Sequence, residues 1–312
     1  MAKEQKSTAA AWDALGDDTN DPFDVGAPTP RQLMKRKAAG NLSFIIGLTV
    51  VLIAALTAIL ADVISPFDPL KQDILHRLQN PVWGKGGNWT HPLGTDGFGR
   101  DYLSRLIYGA RISMMVGFFA ASLAAVVGTV IGLIGGYYGG RVDAVIMYLI
   151  SAKLALPGLV VLLALLSIFG GSVPVLIVVM AALFWDRYAI VTRTMTMQMR
   201  SQDFVTAAEA VGASKTRIML GEILPNLLNQ VIVIITLEMA IAILIEATLS
   251  FLGLGVAPPT PSWGNLVAEG REFMFFQPFL VTIPGVAILI IAIAINMLGD
   301  GIRDITAPEG RN

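Results

Sequence analysis

The chain has 312 residues, 54% of them hydrophobic and 14% charged, with a formal net charge of −1 and no cysteine. Soluble domains average roughly 25% charged residues, so a chain this apolar lacks the polar side chains to cover a water-facing surface. The balanced charge gives no basic footprint for nucleic acid. The missing cysteines exclude disulfides and thiolate metal sites, and two histidines, His76 and His91, make no histidine-rich metal centre.

Residues 1–40 are polar and turn-rich, with Asp17, Asp18 and Asp21 close together and Pro22, Pro28 and Pro30 opposing helix; they read as a mobile cytoplasmic tail. The apolar run begins late and directly after Arg31, Lys35, Arg36 and Lys37, which argues against a secretory signal. From Leu42 to Ala61 no charge occurs; about 20 residues at 1.5 Å each span about 30 Å, the hydrocarbon thickness of a bilayer. A first transmembrane helix is therefore predicted over 41–62, followed by an extracytoplasmic segment over 63–112 that holds Trp83, Trp89 and both histidines. Further runs lie near 113–135, 144–168, 173–191, 227–252 and 279–298. Each must be helical, because an unpaired backbone amide in lipid costs several kcal/mol. The fold class expected is all-α, a polytopic membrane protein with six transmembrane helices, the last five forming a core over 113–300 and leaving a tail at 301–312. Glycines at 117, 128, 132 and 135 suit close helix packing.

Basic residues set the orientation. With the N-terminus in the cytoplasm, fourteen Lys and Arg fall on inside segments, seven on outside ones, and Lys153 within a span. Both termini are thus expected to be cytoplasmic. The connection over 192–226 is then cytoplasmic, polar and helical, and the connection over 253–278, with Pro258, Pro259, Pro261 and Trp263, is a turn-rich cap at the outer interface.

The cytoplasmic connection reads Phe204, Val205, Thr206, Ala207, Ala208, Glu209, Ala210, Val211, Gly212, Ala213, Ser214 and later Leu224-Pro225. Ala208 and Gly212 are four apart and share a helix face, so a stripe nearly bare of side chains would let another body approach. Glycine also allows a sharp turn after the helix, and Pro225 would restart the chain into the next span. Periodicity alone fits a plain amphipathic interface helix equally well.

This stretch resembles the coupling loop of ABC-importer permeases, whose pattern is Glu-Ala-Ala, three residues, Gly, nine residues, then Ile-x-Leu-Pro. Ala207, Ala208, Gly212, Leu224 and Pro225 fall at matching positions, while Thr206 and Glu222 stand in place of the glutamate and isoleucine. His91-Pro92-Leu93-Gly94-Thr95-Asp96-Gly97-Phe98-Gly99-Arg100-Asp101 is similar to a signature of the dipeptide, oligopeptide and nickel permease branch, C-type subunit. So are Ser104-Arg105, the stretch from Tyr108 to Ser113, Leu249–Gly255 with Pro261–Gly264, and Asn296–Asp304. Tyr148 and Ser151 stand where the family carries Arg and Asp in its third span. The resemblance covers about residues 40 to 308. It implies a type I ABC importer permease fold in a bacterial or archaeal plasma membrane. It also implies a second homologous permease, two ATPase subunits that hold the ATP and Mg, and an extracytoplasmic solute-binding protein. Phe204, Val205, Ala207, Ala208, Glu209, Gly212, Ala213 and Ser214 would form the ATPase-coupling loop, and Gly94, Thr95, Asp96, Gly99, Arg100 and Asp101 a structural motif. The solutes of this branch include dipeptides, longer peptides, nickel chelates, glutathione and sugar-linked oligomers.

The run Gly212-Ala213-Ser214-Lys215-Thr216 is not a phosphate-binding loop, which needs glycine one and six residues before the lysine where Ser214 and Glu209 stand. The chain is therefore expected to be no enzyme and to hold no cofactor of its own. Lys153 and Glu238 lie at similar depth in the third and fifth spans. A charge at mid-bilayer costs at least about 2.5 kcal/mol, so a pair between them, or separate contact with water, is expected. Glu246 is placed under the outer cap, and Asp186 with Arg187 is read as an interface anchor. His91 and Asp96 read as a turn scaffold around Pro92 and Gly94 rather than as metal ligands. A secondary transporter is the competing class; it predicts inverted repeats around a midplane site, and the two halves show none. A passive channel subunit is a third.

Overall fold

A computed structural model describes residues 36–306, divided at Gly40 into two units. In the first, residues 36–40 are helical; the remainder of the expected tail, and residues 307–312, lie outside the described residues.

The second unit opens with α1, Leu42–Ile59, whose start is fixed by the Asn41 side chain accepting from Phe44 N at 2.9 Å. A short α2, Ala61–Ile64, leads into an irregular segment with one 3-10 turn at Ile74–His76. Next comes α3, Tyr102–Tyr138, which begins eleven residues before the apolar run at 113. The reason is a cap: Asp101 Oδ2 accepts from Ser104 N at 2.7 Å, satisfying an orphan donor of the first turn. The predicted extracytoplasmic segment is correspondingly shorter.

The span expected over 144–168 is broken. Helices α4, Gly140–Leu154, and α5, Gly158–Phe169, meet at 83°. Pro157 explains the break, since proline lacks a donor and pushes the preceding residue out of helical geometry. Then follow α6, Val173–Arg200, the short α7, Asp203–Ala210, and α8, Lys215–Phe251. The polar connection of 192–226 thus shrinks to a brief excursion, because both flanking helices run well past the apolar runs. Pro225 stands in the first turn of the α-helical stretch Leu224–Phe251, as expected, but no break precedes it: a π turn at Ile218–Ile223 joins that stretch to Lys215 within α8. That turn pairs Leu224 N with Met219 O, five residues back, and its wider winding makes room for a ring that would otherwise strike the carbonyl four residues before it. Helices α9, Trp263–Gly270, and α10, Phe279–Thr306, complete the unit. The tail predicted to begin at 301 is helical as far as Thr306. Five of these helices are long and apolar enough to cross a membrane, and the bent pair α4–α5 makes a sixth span if taken as one.

Close packing of α3 on α6 builds the centre. Gly128, Gly132 and Gly136 repeat every four residues on one face of α3. A Cβ at Gly132 would stand 2.5 Å from the Ala189 carbonyl oxygen, and one at Gly136 2.5 Å from that of Arg193, both on α6. Gly117 abuts α8 instead, where a Cβ would lie 2.6 Å from Ile243 Cγ1, and Gly135 faces Ile146 of α4. Two apolar clusters flank this contact. One gathers Val116, Ala120, Leu162, Leu176 and Met180 from α3, α5 and α6. The other gathers Met114, Ile243, Leu280 and Ile291 from α3, α8 and α10. Overpacking at such a seam costs about 1–3 kcal/mol, so Gly132→Leu is expected to lower the thermal midpoint of the detergent-solubilised protein; an unchanged midpoint would show that the helices part freely there.

Candidate functional site

At the end of the bundle where α3 finishes, the short amphipathic helix α7 packs on the ends of α3 and α8. Its inward side is Val205, fully buried against Leu133, Tyr137, Ile218, Met219, Ile223 and Leu227, with Ala208 and Ala213 packed at the edge. Phe204, Ala207, Glu209, Ala210 and Ser214 face outward. Val211 is 86% exposed, an apolar side chain that little among the described residues covers. The stripe proposed from spacing is therefore displaced: Ala208 turns into the core, and the open apolar face is made by Phe204, Ala207, Ala210 and Val211.

Gly212 ends this helix with φ +81°. Its N–H donates to Glu209 O at 2.9 Å, and Ala213 N–H reaches back to Ala208 O at 3.0 Å. These two bonds are those of a Schellman cap, and Ala208 and Ala213 both pack on the same buried apolar cluster. Positive φ restricts this position to glycine at little cost, so Gly212 is needed by the turn itself. Ser214 then caps the next helix, its Oγ accepting from Arg217 N at 3.3 Å. Glu209 approaches Tyr137 Oη at 3.5 Å, and the Arg200 guanidinium stacks on the Tyr137 ring. Arg193 of α6 holds the Asp143 carboxylate of α4 through both Nε and Nη2, fastening the broken span to the bundle near this end.

Midway along the helices the charges pair differently from the sequence expectation. Lys153 and Glu238 are not partners: Lys153 Nζ donates to Asp186 Oδ1 at 2.5 Å, and Arg187 Nη1 donates to Glu238 Oε1 at 2.5 Å. Because α6 continues to Arg200, Asp186 and Arg187 fall in its middle rather than at an interface, and each neutralises a charge from another helix.

At the opposite end a buried ionic network joins the segment before α3 to α9. Asp96 Oδ2 accepts from Arg100 Nε at 2.6 Å and from Arg105 Nη1 at 2.5 Å, while its Oδ1 accepts from the backbone N–H groups of Phe98 and Arg100. Both arginines continue to Glu269 of α9: Arg100 Nη2 at 2.7 Å, Arg105 Nη1 at 2.5 Å and Arg105 Nη2 at 3.1 Å. Arg105 is completely buried. Asp101 caps α3 and also meets His91 Nδ1 at 2.8 Å. Thr95 Oγ1 donates to His76 O and accepts from Gln79 N. Gly94 and Gly99, with φ of +78° and +73°, make the turns that fold this segment back on itself. All six motif residues thus serve one structure. Glu269 completes it from 164 residues beyond Arg105, a distance at which spacing carries no signal. Beside it, Glu246 is buried under the α9 cap and accepts hydrogen bonds from the hydroxyls of Ser113, Ser250 and Ser262 at 3.0, 2.8 and 2.8 Å. Outside the spans, Asp62 of α2 meets Arg111 Nη2 at 2.9 Å, and this guanidinium holds its carboxyl below the usual carboxylate range.

Comparison with known proteins agrees with this architecture. Residues 128–311 match the family described as binding-protein-dependent transport system inner membrane component, and residues 29–81 match the N-terminal transmembrane domain of oligopeptide transport permease C. The dipeptide transport system permease protein DppC of Haemophilus influenzae is 42% identical over 92% of this chain and 98% of its own. The di/tripeptide permease DppC of Pseudomonas aeruginosa is 37% identical over 91% and 94%. Among solved structures, a chain of the MetNI methionine ABC transporter in an inward-facing conformation superposes with a TM-score of 0.51, at 15% identity, over 65% of this chain and 97% of that one.

Proposed function

This chain belongs to the family of inner membrane components of binding-protein-dependent transport systems, in its peptide-permease branch, and we propose that it forms one half of the path through which an ATP-driven importer moves di- or oligopeptides. The other half comes from a second homologous permease. An extracytoplasmic binding protein delivers the solute at the α9 end, and two ATPase subunits sit beneath α7. Both termini lie in the cytoplasm.

The observation that carries this reading is the outward face of α7. Exposed Phe204, Ala207, Ala210 and Val211 form an apolar patch on a polar excursion, where water offers them no partner. Their helix is clamped to the ends of α3 and α8 through Val205 and the third apolar cluster. A body docking on that face moves the helix as a unit, and the long helices α3 and α8 carry the displacement toward the far end. ATP shifts the equilibrium between inward- and outward-open states by binding the closed ATPase pair more tightly. The chain itself supplies no hydrolytic group; its part is to transmit and to enclose.

Uptake of a labelled dipeptide into proteoliposomes tests the proposal. Uptake is expected only with ATP, both permeases, the ATPases and the loaded binding protein together. Uptake that persists without ATPases and collapses with the ion gradient would instead establish secondary transport.

A further inference from the structure

Arg187 stands in the middle of α6 with its side chain 56% exposed, although Glu238, its partner, is buried. A guanidinium facing acyl chains is expensive, so this exposed half must meet water or another polar group. Residues seven and eleven positions on, Thr194 and Gln198, are exposed on the same face of α6. On the opposite face, toward the other end, the exposed residues are the apolar Val178 and Ala182. The grip on Glu238 is single-ended: only Nη1 is engaged, and the other N–H groups of Arg187 make no hydrogen bond among the described residues. One edge of the planar guanidinium is thereby positioned and the other left open, the arrangement that receives a second carboxylate through two N–H donors. The neighbouring Lys153–Asp186 pair is neutral and lies by the break between α4 and α5, and among the described residues no further acidic group pairs with that open edge.

Building on the importer reading, we propose that the Arg187–Thr194–Gln198 stripe lines the water-filled solute path and that Arg187 takes the C-terminal carboxylate of the passing peptide. Glu238 acts as its positioning residue, holding the guanidinium at one depth while leaving its free edge to the solute.

Because the chain has no cysteine, single cysteines can be read on it by mass. In the assembled transporter, Thr194→Cys and Gln198→Cys, which leave both ion pairs intact, together with Arg187→Cys, are treated with a charged, membrane-impermeant methanethiosulfonate. All three are expected to react at least about tenfold faster than Val178→Cys, since a charged reagent is excluded from lipid. A dipeptide with a free carboxylate, delivered by its binding protein, is expected to slow labelling at Thr194→Cys, and its C-terminal amide to leave it unchanged. The path assignment is overturned if Thr194→Cys and Gln198→Cys stay unreactive in both nucleotide-free and ATP-trapped states. Equal protection by acid and amide overturns the carboxylate contact. Failure here is separable from failure of the importer reading, which turns on whether the unsubstituted protein needs ATP for uptake.

Discussion

Arg105→Ala is expected to destabilise the protein by about 3–5 kcal/mol, seen as loss of properly inserted chain and a collapsed thermal midpoint in detergent. The magnitude follows from what is left behind. Arg105 is fully buried and donates to both Asp96 and Glu269. Its removal strands two carboxylates with one remaining guanidinium, Arg100, itself almost entirely buried. A buried charge without its partner loses the interaction that offset its desolvation. Glu269→Ala is expected to cost less, because that carboxylate is the one partly exposed member of the network. Replacing Arg105 and Glu269 together by Met and Leu keeps the Asp96–Arg100 pair and is expected to recover part of the loss, so that the two substitutions are not additive. A fully additive pair would mean that the residues act separately and the network is incidental.

Val211→Asp is expected to reduce ATP-coupled uptake at least about thirtyfold, the loss of one central contact residue at an interface, while membrane insertion and thermal midpoint stay unchanged. The Val211 side chain is 86% exposed and only its backbone N–H serves α7, donating to Ala207 O, so the substitution separates docking from folding. Gly212 cannot make that separation as cleanly. At φ +81° even Gly212→Ala strains the Schellman cap by about 1–2 kcal/mol, and Gly212→Glu combines this strain with a charge. Both are expected to impair coupling, the second to abolish it. Normal uptake by a well-inserted Val211→Asp protein would remove the docking role from this face.

Much of the scaffold was legible because lipid leaves few options. Uncharged runs of membrane length can only be helices, and each is helical here nearly end to end, apart from the run around Pro157, which proline divides, and the tail of the first, where Leu60 separates α1 from α2. The ends were misjudged because helices do not stop where hydropathy does. Asp101 starts α3 early through its cap, and α6 continues through Thr192, Arg193 and Thr196 because those side chains pack or pair against α3 and α4. That extension moved Asp186 and Arg187 from an assumed boundary to mid-helix and so concealed the two ion pairs. Similar depth alone suggested Lys153 with Glu238; only the rotation of each helix decides which charge faces which. In the α7 loop, spacing found the helix and the glycine, but it could not tell that Ala208 packs against the buried cluster around Val205 while Ala207 faces out. The outer network was half visible, as a run from Gly94 to Asp101, and half hidden in Glu269.

The most direct measurement is site-specific cross-linking from Val211→Cys, the lone thiol of this chain, in the assembled transporter in intact cells. The account predicts a cross-link to an ATPase subunit, with no labelling by an impermeant thiol reagent added outside. Labelling from outside, or a residue that never touches an ATPase in any nucleotide state, would contradict it.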